Sequence, residues 1–246
     1  MTVLDRFADA VAAAERDGLS GPELMPERLA RGCLAALPVD GAGMSMLFAR
    51  DRRLPLGSSD QVSADAERLQ FTVGEGPCLQ THSAGRPVLA TEEDLRTRWP
   101  AFYEALTQQT PYRSIVALPL RGSLTGIGAL DLYLTPPHGV GDIGLQDALM
   151  VVDEITGTFE GAMTHAARRS SGPAWLDAPA ATRRAHVWVA LGMLNAELQV
   201  TSPTALSLLR AHAFASGRDV DELALDVVEG RVPTGELADS DDRTGS

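Results

Sequence analysis

Cys78 and His82 are the residues whose types and spacing could support covalent chemistry. They stand four positions apart, so they would share one face of a helix. A thiolate next to an imidazole can act as a nucleophile or as a redox sensor. The alternative is a small buried cysteine beside a surface histidine, which is the commoner arrangement and the one we favour. The other cysteine, Cys33, lies in an apolar run and is expected in the core.

Metal and phosphate chemistry have little support in this sequence. Two scattered cysteines are too few for a zinc site, and His138 and His165 have no suitably spaced partners. The segment from Gly74 to Pro77 lacks the GxxxxGK pattern of a phosphate-binding loop, so we expect a tight turn there. We therefore predict no metal site and no catalytic residues, and the sequence does not identify a cofactor.

The absence of lysine excludes several enzyme classes. All 21 basic residues are arginine. The chain therefore lacks the phosphate-binding lysine of P-loop enzymes, the ATP-binding lysine of protein kinases and a Schiff-base lysine. It also lacks the lysine of response-regulator receiver domains. We expect the protein not to be an enzyme.

Composition is that of an ordinary globular protein. The 246 residues are 44% hydrophobic and 22% charged, and the length allows two domains. No apolar run approaches the roughly 18 residues that a membrane-spanning helix requires. The first residues lack the basic and apolar regions of a signal peptide. With only two cysteines, a reducing compartment is indicated, and we expect a cytoplasmic protein without a membrane partner.

Charge is unevenly distributed along the chain. The net charge of −12 disfavours a strongly basic nucleic-acid-binding protein. The stretch from residue 180 to residue 218, however, contains four arginines and a single acid, Glu197, which gives it a net charge of +3. The candidate RNA contacts are Arg183, Arg184, Arg210 and Arg218, because a guanidinium can bind phosphate with two hydrogen bonds and stack on unpaired bases.

The pattern of elements up to residue 167 predicts an antiparallel sheet flanked by helices. Two helices are expected before residue 37, and strands over residues 41–49, 54–59, 113–121 and 127–135. A polar turn is expected at Asp51, Arg52 and Arg53, and a short helix over residues 64–70. The fold class expected for this region is α+β.

A long helix follows the last strand. Between Leu145 and Ala166 the apolar residues form two overlapping stripes, and one of them is available for a partner helix. We therefore predict a homodimer through this helix, with a single wide core-facing stripe as the alternative.

The segment after this helix reads as a linker followed by three short helices. Residues 168–179 are expected to be the linker, with Trp175 and Leu176 docked on a neighbouring domain. Ser202 before Pro203 predicts the start of the second helix, and Asp219 with Glu222 predicts the start of the third. The three helices span residues 180–232, and residues 233–246 form an acidic tail that is expected to be disordered.

The three-helix stretch resembles ANTAR domains. The matching residues follow the pattern R-x-x-I-x-x-A-x-G-hydrophobic-L and are Arg184, Val187, Ala190, Gly192, Met193 and Leu194. The resemblance continues through residues 204–213 and 223–228. It implies a module that binds RNA hairpins and regulates transcription antitermination, often in pairs. The family usually has a lysine where this chain has Leu191, and this departure is the basis for an alternative with weakened RNA binding.

The stretch from Phe71 to Phe102 resembles the central segment of GAF domains from actinobacterial regulators. GEGPC, GxPV and DLxxxWP occur in the expected order, beginning at Gly74, Gly85 and Asp94. The resemblance covers roughly residues 22–164 and implies a domain that senses a small ligand or redox state. The residues that we expect around its pocket are Phe71, Glu75, Cys78, Trp99 and Tyr103.

The sequence as a whole predicts a two-domain regulator. Residues 1–167 would form the GAF sensor and residues 180–232 the ANTAR domain that binds RNA hairpins. One alternative is a sensor or protein-interaction module with weakened RNA binding. A second is a cysteine-dependent enzyme of the GAF fold using Cys78. A DNA-binding helix-turn-helix is disfavoured because its recognition helix would carry five acidic residues: Asp219, Asp221, Glu222, Asp226 and Glu229.

Overall fold

The computed structural model describes residues 1–49, 52–170 and 172–238. Its centre is a five-stranded sheet in the order β2-β1-β5-β4-β3, in which every neighbouring pair is antiparallel. The strands are β1 (Gly41–Ala49), β2 (Arg52–Ser58), β3 (Val88–Ala90), β4 (Ser114–Pro119) and β5 (Gly128–Leu134). The predicted antiparallel sheet flanked by helices is therefore confirmed for this part of the chain.

Helices cover both faces of the sheet. The helices up to the last strand are α1 (Val3–Arg16), α2 (Met25–Ala36), α3 (Gln61–Val73), α4 (Pro77–Ala84), α5 (Glu92–Arg98) and α6 (Pro100–Gln109), and α7 (Leu145–Arg168) follows it. Because strand side chains alternate between faces, Leu130 and Leu132 of β5 pack against α1, α2 and α7, whereas Asp131 and Tyr133 face the side of α3 to α6. The charged Asp131 is thus placed inside the molecule.

Two local predictions are corrected by the sheet. Arg52 and Arg53 were expected in a turn, but both belong to β2, and Arg53 is paired with Leu47 of β1. The third residue of that expected turn, Asp51, lies outside the described residues. The predicted helix over residues 64–70 is longer, because Asp60 caps α3 by accepting a hydrogen bond from the Ser63 amide and Gly74 closes the helix at a φ of 81°.

The long helix α7 packs on the core through one wide face. Ala148, Val152, Ile155 and Phe159 are fully buried. The second predicted stripe does not form a separate surface, because Leu149 and Met163 are partly buried against the same core, and only Leu145 is exposed. The homodimer through this helix therefore stays a prediction.

The residues after α7 are held against the sheet domain. The Trp175 side chain is buried, and its ring meets that of Phe159 edge-on at 5.5 Å between centroids. The predicted docking of Trp175 is thus confirmed, whereas Leu176 is exposed. The described part of the predicted linker, residues 168–170 and 172–179, contributes core contacts rather than acting as a free spacer.

Three helices complete the described chain: α8 (Pro179–Leu198), α9 (Ser202–Ala215) and α10 (Val220–Val228). They surround their own apolar cluster, which includes Val187, Leu191 and Leu209. The observed starts of α9 and α10 agree with the predicted starts within one residue. Thr201 rather than Ser202 caps α9, and Asp219 caps α10 as predicted. Residues 239–246 of the expected acidic tail lie outside the described residues, and Thr234 and Leu237, which precede them, are buried.

Candidate functional site

Helix α3 positions the residues of the candidate site because its side chains point to two different neighbours. Glu67 and Gln70 face the sheet, whereas Arg68 and Phe71 face the three C-terminal helices. This arrangement follows from the helical period, because residues one position apart point about 100° away from each other. The helix therefore connects the interior of the sheet domain to the helical module formed by α8, α9 and α10.

A group of polar side chains lies buried between α3, α4 and the sheet. We call it the buried polar cluster, and it consists of Ser45, Arg53, Glu67, Gln70, Cys78, His82, Asp131 and Tyr133. Polar groups are seldom buried without function or mutual pairing, since transferring a charge out of water is unfavourable. The cluster is therefore the strongest candidate for a binding site in this domain.

Hydrogen bonds and ion pairs link the members of the cluster. Gln70 donates to Asp131 Oδ2 at 2.9 Å and accepts from the Cys78 amide at 3.0 Å. Arg53 Nε donates to Ser45 Oγ at 3.2 Å, and its terminal nitrogens lie 3.4 Å from Glu67 and 3.8 Å from Asp131. The Arg53 guanidinium is thus the centre of the cluster, with one acid on either side.

Burial determines the charge states of the cluster. It raises the pKa of the Asp131 carboxyl, although Arg53 opposes that shift. Burial opposes the charge on Arg53, but Cys78, Glu67 and Asp131 around it hold the pKa of its guanidinium above the usual value. Burial and then Arg53 lower the pKa of His82 to about 3, so the imidazole is neutral and offers one donor and one acceptor.

Several cluster atoms have no hydrogen-bond partner among the described residues. They are Arg53 Nη1 and Nη2, Glu67 Oε1, both ring nitrogens of His82, Asp131 Oδ1 and the Tyr133 hydroxyl. The Arg53 nitrogens are close enough to Glu67 and Asp131 for ion pairing, but they are not aligned for hydrogen bonds. Because most buried polar atoms in proteins are hydrogen-bonded, this concentration of unused donors and acceptors marks a place where a polar molecule would be stabilised.

The thiol of Cys78 is not prepared for nucleophilic chemistry. It is fully buried, and that burial raises its pKa even though Arg53 acts in the opposite direction. Burial likewise raises the pKa of the Cys33 thiol to about 12. The favoured interpretation of a buried Cys78 is confirmed, but the expectation of a surface histidine is wrong, because His82 is 7% exposed and belongs to the same interior.

The five residues predicted around a ligand pocket are distributed among three environments. Only Cys78 belongs to the buried polar cluster. Trp99 packs in the apolar core beside α6, and Tyr103 is partly buried against it, with its hydroxyl bonded to Glu92. Glu75 accepts a hydrogen bond from the Phe102 amide, and Phe71 packs in the core of the helical module. The predicted pocket is therefore replaced by the cluster as the candidate site.

The predicted RNA contacts are also separated. Arg183 is exposed on α8, and Arg218 is partly exposed and paired with Asp226. Arg184, by contrast, is 0% exposed, so in this arrangement its guanidinium is not available to an RNA phosphate. Arg210 is partly buried and donates to the Phe71 carbonyl oxygen at 2.8 Å. The four arginines do not form one basic surface in this structure.

Arg184 joins the helical module to the sheet domain. It binds Asp221 of α10 through two hydrogen bonds of 2.6 and 3.0 Å, and it reaches Glu67 at 3.2 Å and the Arg53 carbonyl oxygen at 3.0 Å. Burial opposes its charge, but Asp221 and Glu67 keep the pKa of the guanidinium above the usual value. Its predicted place on an RNA-facing surface is corrected by these contacts, because every one of them lies in the interior.

Sequence reasoning missed the central residues of the cluster. Asp131 is a single charge in the otherwise apolar strand β5, whereas Arg53 follows Arg52 at the start of β2. A lone charge between apolar strand residues is the signal that could have identified Asp131. Glu67 gave no comparable signal, because an acid on a helix is usually exposed.

In the part of the chain that the structure describes, no group of three or more His, Cys, Asp or Glu side chains could hold a metal ion. Nor does that part contain a helix with the length and apolar character to cross a lipid bilayer.

Comparison with known proteins shows partial likeness to two solved GAF domains. No family model matches the sequence, and no curated protein matches it. The GAF domain from the Acinetobacter phosphoenolpyruvate-protein phosphotransferase is 15% identical, with a TM-score of 0.46 over 66% of this chain and 95% of that domain. The GAF domain from the Coxiella burnetii enzyme is 13% identical, with a TM-score of 0.48 over 68% of this chain and 98% of that domain. This chain is thus similar over about two thirds of its length to two domains of that kind.

Proposed function

We propose that the protein is a signal-responsive RNA-binding regulator. In this proposal the sheet domain is a GAF-type sensor, and the helical module is an ANTAR domain that binds RNA hairpins and controls transcription antitermination. The resemblance of residues 71–102 to GAF domains and of residues 184–228 to ANTAR domains supports it. The stretch that resembles ANTAR domains contains three helices, α8, α9 and α10.

The observation that carries the sensing role is the buried polar cluster. Its unused donors and acceptors, from Arg53, His82, Asp131 and Tyr133, converge on one region beneath the sheet. Each such atom is unfavourable without a partner, so a molecule that bonds to several of them at once gains affinity and stabilises the folded domain. Burial of both cysteines favours a bound ligand over a redox state as the signal.

The chemistry of the cluster limits the ligand. Arg53 is flanked by Glu67 and Asp131, and His82 is neutral. The cluster therefore offers a ligand both hydrogen-bond donors and hydrogen-bond acceptors. A strongly charged ligand would disturb these pairs, whereas a small neutral or zwitterionic polar molecule could use the free atoms and leave the pairs in place. We propose a ligand of that class.

The RNA-binding role rests on the arginines of α8 and α9 and on Arg218, which follows α9. Leu191, which stands in place of the usual family lysine, is buried in the core of the helical module. The position therefore serves packing in this chain, and the proposed phosphate contacts are arginines. Arg183 and Arg218 are accessible in this structure, and they are the contacts that an RNA would meet first.

Replacing the two accessible arginines by alanine is expected to weaken hairpin binding. If each guanidinium neutralises one phosphate, the slope of log K against log salt concentration should fall by about 1.5 in magnitude for Arg183→Ala with Arg218→Ala. Filter binding of paired RNA hairpins to the full chain between 50 and 200 mM salt measures this slope. Arg16→Ala on the exposed part of α1 is the matched control and should leave it unchanged. If the wild-type chain retains no hairpin at 50 mM salt, the RNA-binding role is wrong.

An apolar surface favours one alternative function, a protein-interaction module. The side chains of Phe48 and Leu176 are exposed and line one groove together with Trp188. Grouped apolar exposure of this kind is typical of protein contacts. A wild-type chain that binds no hairpin would favour this alternative.

A further inference from the structure

Helix α3 holds the face of the helical module that carries Arg184 and Arg210. The ring of Phe71 contacts both guanidiniums, with its centroid 3.6 Å from the Arg184 carbon Cζ and 5.0 Å from that of Arg210. Both distances allow cation–π attraction, which is strongest where water is excluded. Arg210 is further fixed by its hydrogen bond to the Phe71 carbonyl oxygen. Phe71 of α3 thus contacts two of the four arginines that we propose as RNA contacts.

Other side chains of the same helix strengthen this attachment. Glu67 binds Arg184 at 3.2 Å, and Arg68 forms an ion pair of 3.0 Å with Asp219, the residue that caps α10. Thr72 Oγ1 accepts a hydrogen bond of 3.2 Å from the Val220 amide. We call Glu67, Arg68, Phe71 and Thr72 the α3 latch. It contacts α8, α9 and α10, and so it reaches every helix of the module.

We propose that the α3 latch is an autoinhibitory contact that competes with RNA for Arg184 and Arg210. The inference rests on the proposed RNA-binding function and specifies how that function is regulated. Phosphate oxygens and unpaired bases offer the guanidiniums the same two interactions that Glu67 and Phe71 provide, which are ion pairing and stacking on an aromatic ring. The latch and an RNA hairpin therefore exclude each other at these two residues.

The latch is connected to the buried polar cluster through Glu67. One carboxylate oxygen of Glu67 faces Arg53 at 3.4 Å, and the other faces Arg184 at 3.2 Å. A ligand that binds Arg53 or Asp131 changes how strongly Arg53 attracts Glu67. It therefore also changes how strongly Glu67 attracts Arg184. Three consecutive ion pairs, Asp131–Arg53, Arg53–Glu67 and Glu67–Arg184, thus connect Asp131 to Arg184 and supply a route from the ligand to the RNA-binding face.

The closed arrangement also contains an unfavourable contact that assists release. Burial, and after it the nearby charges of Arg184 and Arg53, lower the pKa of Arg210 to about 10. Two guanidiniums on one ring repel each other, and separating α9 from α3 would relieve this repulsion. This repulsion therefore lowers the free energy needed to separate the helical module from α3.

Weakening the latch from the α3 side is expected to increase RNA affinity. Glu67→Gln keeps the shape but removes the charge that binds Arg184, and hairpin affinity should rise about fivefold. Arg68→Ala removes the ion pair to Asp219, and the affinity should rise about two- to fivefold with less effect on folding. In both variants the salt slope should stay at the wild-type value, because the same phosphates are bound once the module is free. Filter binding with the full chain measures both quantities.

Two further variants separate release of the latch from simpler effects. Glu15→Gln on α1 removes the same charge far from the module and should leave the affinity within twofold of the wild-type value. Arg210→Ala removes a proposed phosphate contact, so its salt slope should fall by about 1 in magnitude. Hydrogen exchange of the peptide containing Val220 reports the latch without RNA, and it should be faster in Glu67→Gln than in the wild-type chain.

The outcomes distinguish the latch from the proposed function. Hairpin binding that is equal in wild type, Glu67→Gln and Arg68→Ala, with unchanged exchange at Val220, overturns the latch and leaves RNA binding intact. Absence of hairpin binding in every variant overturns the RNA-binding function and the competition with it, whatever the exchange shows. Tighter binding with an unchanged slope and faster exchange supports both.

Discussion

Arg184→Ala is expected to lower the free energy of unfolding by about 3 to 5 kcal/mol. The substitution removes one partner of a buried ion pair, leaves Asp221 with uncompensated charge in the interior, and leaves Glu67 paired with Arg53 alone. The stacking on Phe71 is lost as well. Urea denaturation of the full chain, followed by far-ultraviolet circular dichroism, measures the effect.

The neighbouring arginine is the matched control for this prediction. Arg183 is one residue away on α8 but exposed, so Arg183→Ala should change the free energy of unfolding by no more than about 0.5 kcal/mol. Equal small effects of the two substitutions would contradict the buried position of Arg184. They would instead agree with the sequence-based expectation that both arginines face solvent.

Trp175→Ala is expected to have a comparable effect on stability, a loss of about 3 to 5 kcal/mol, because a large buried aromatic side chain leaves a cavity. It should also detach the segment between α7 and α8, since the ring of Trp175 rests on that of Phe159. Denaturation measures the first effect, and the rate of limited proteolysis near residues 172–178 measures the second.

Leu176→Ala is the control for Trp175→Ala. Leu176 adjoins Trp175 but is 40% exposed, so its replacement should change stability by about 0.5 kcal/mol or less and leave the cleavage rate unchanged. If Trp175→Ala is as mild as Leu176→Ala, the segment is a free linker, as the glycine and prolines around it first indicated.

The elements of the fold were predictable where one local signal sufficed. The strand around Val116 is a continuous apolar run, the strand around Leu130 is apolar except for Asp131, and α10 begins at the acidic cap Asp219. The turn expected at Arg52 and Arg53 was wrong. It was predicted because two consecutive charged residues usually lie at the protein surface. Arg53 instead faces Glu67 and Asp131, and partners that are distant in sequence leave no local signal.

The candidate site was less predictable than the fold for the same reason. The resemblance pointed to Cys78. The structure adds Arg53 from β2 and Asp131 and Tyr133 from β5, which belong to the same buried polar cluster. Arg184 shows the opposite error, because its place in a basic stretch predicted a surface position, whereas it is buried against Asp221 and Glu67. Which charges pair is a tertiary property, so neither spacing nor net charge of the stretch could identify it.

The central claim is that the buried polar cluster binds a small polar molecule, and native mass spectrometry of the full chain tests it most directly. We expect wild-type protein incubated with a mixture of small polar metabolites to carry one additional small molecule per chain. Asp131→Asn, which removes a charge from the cluster, should bind it at least tenfold more weakly, whereas Asp153→Asn on the exposed side of α7 should bind it normally. Equal occupancy in all three proteins, or the bare polypeptide mass in wild type with every mixture, would contradict the account.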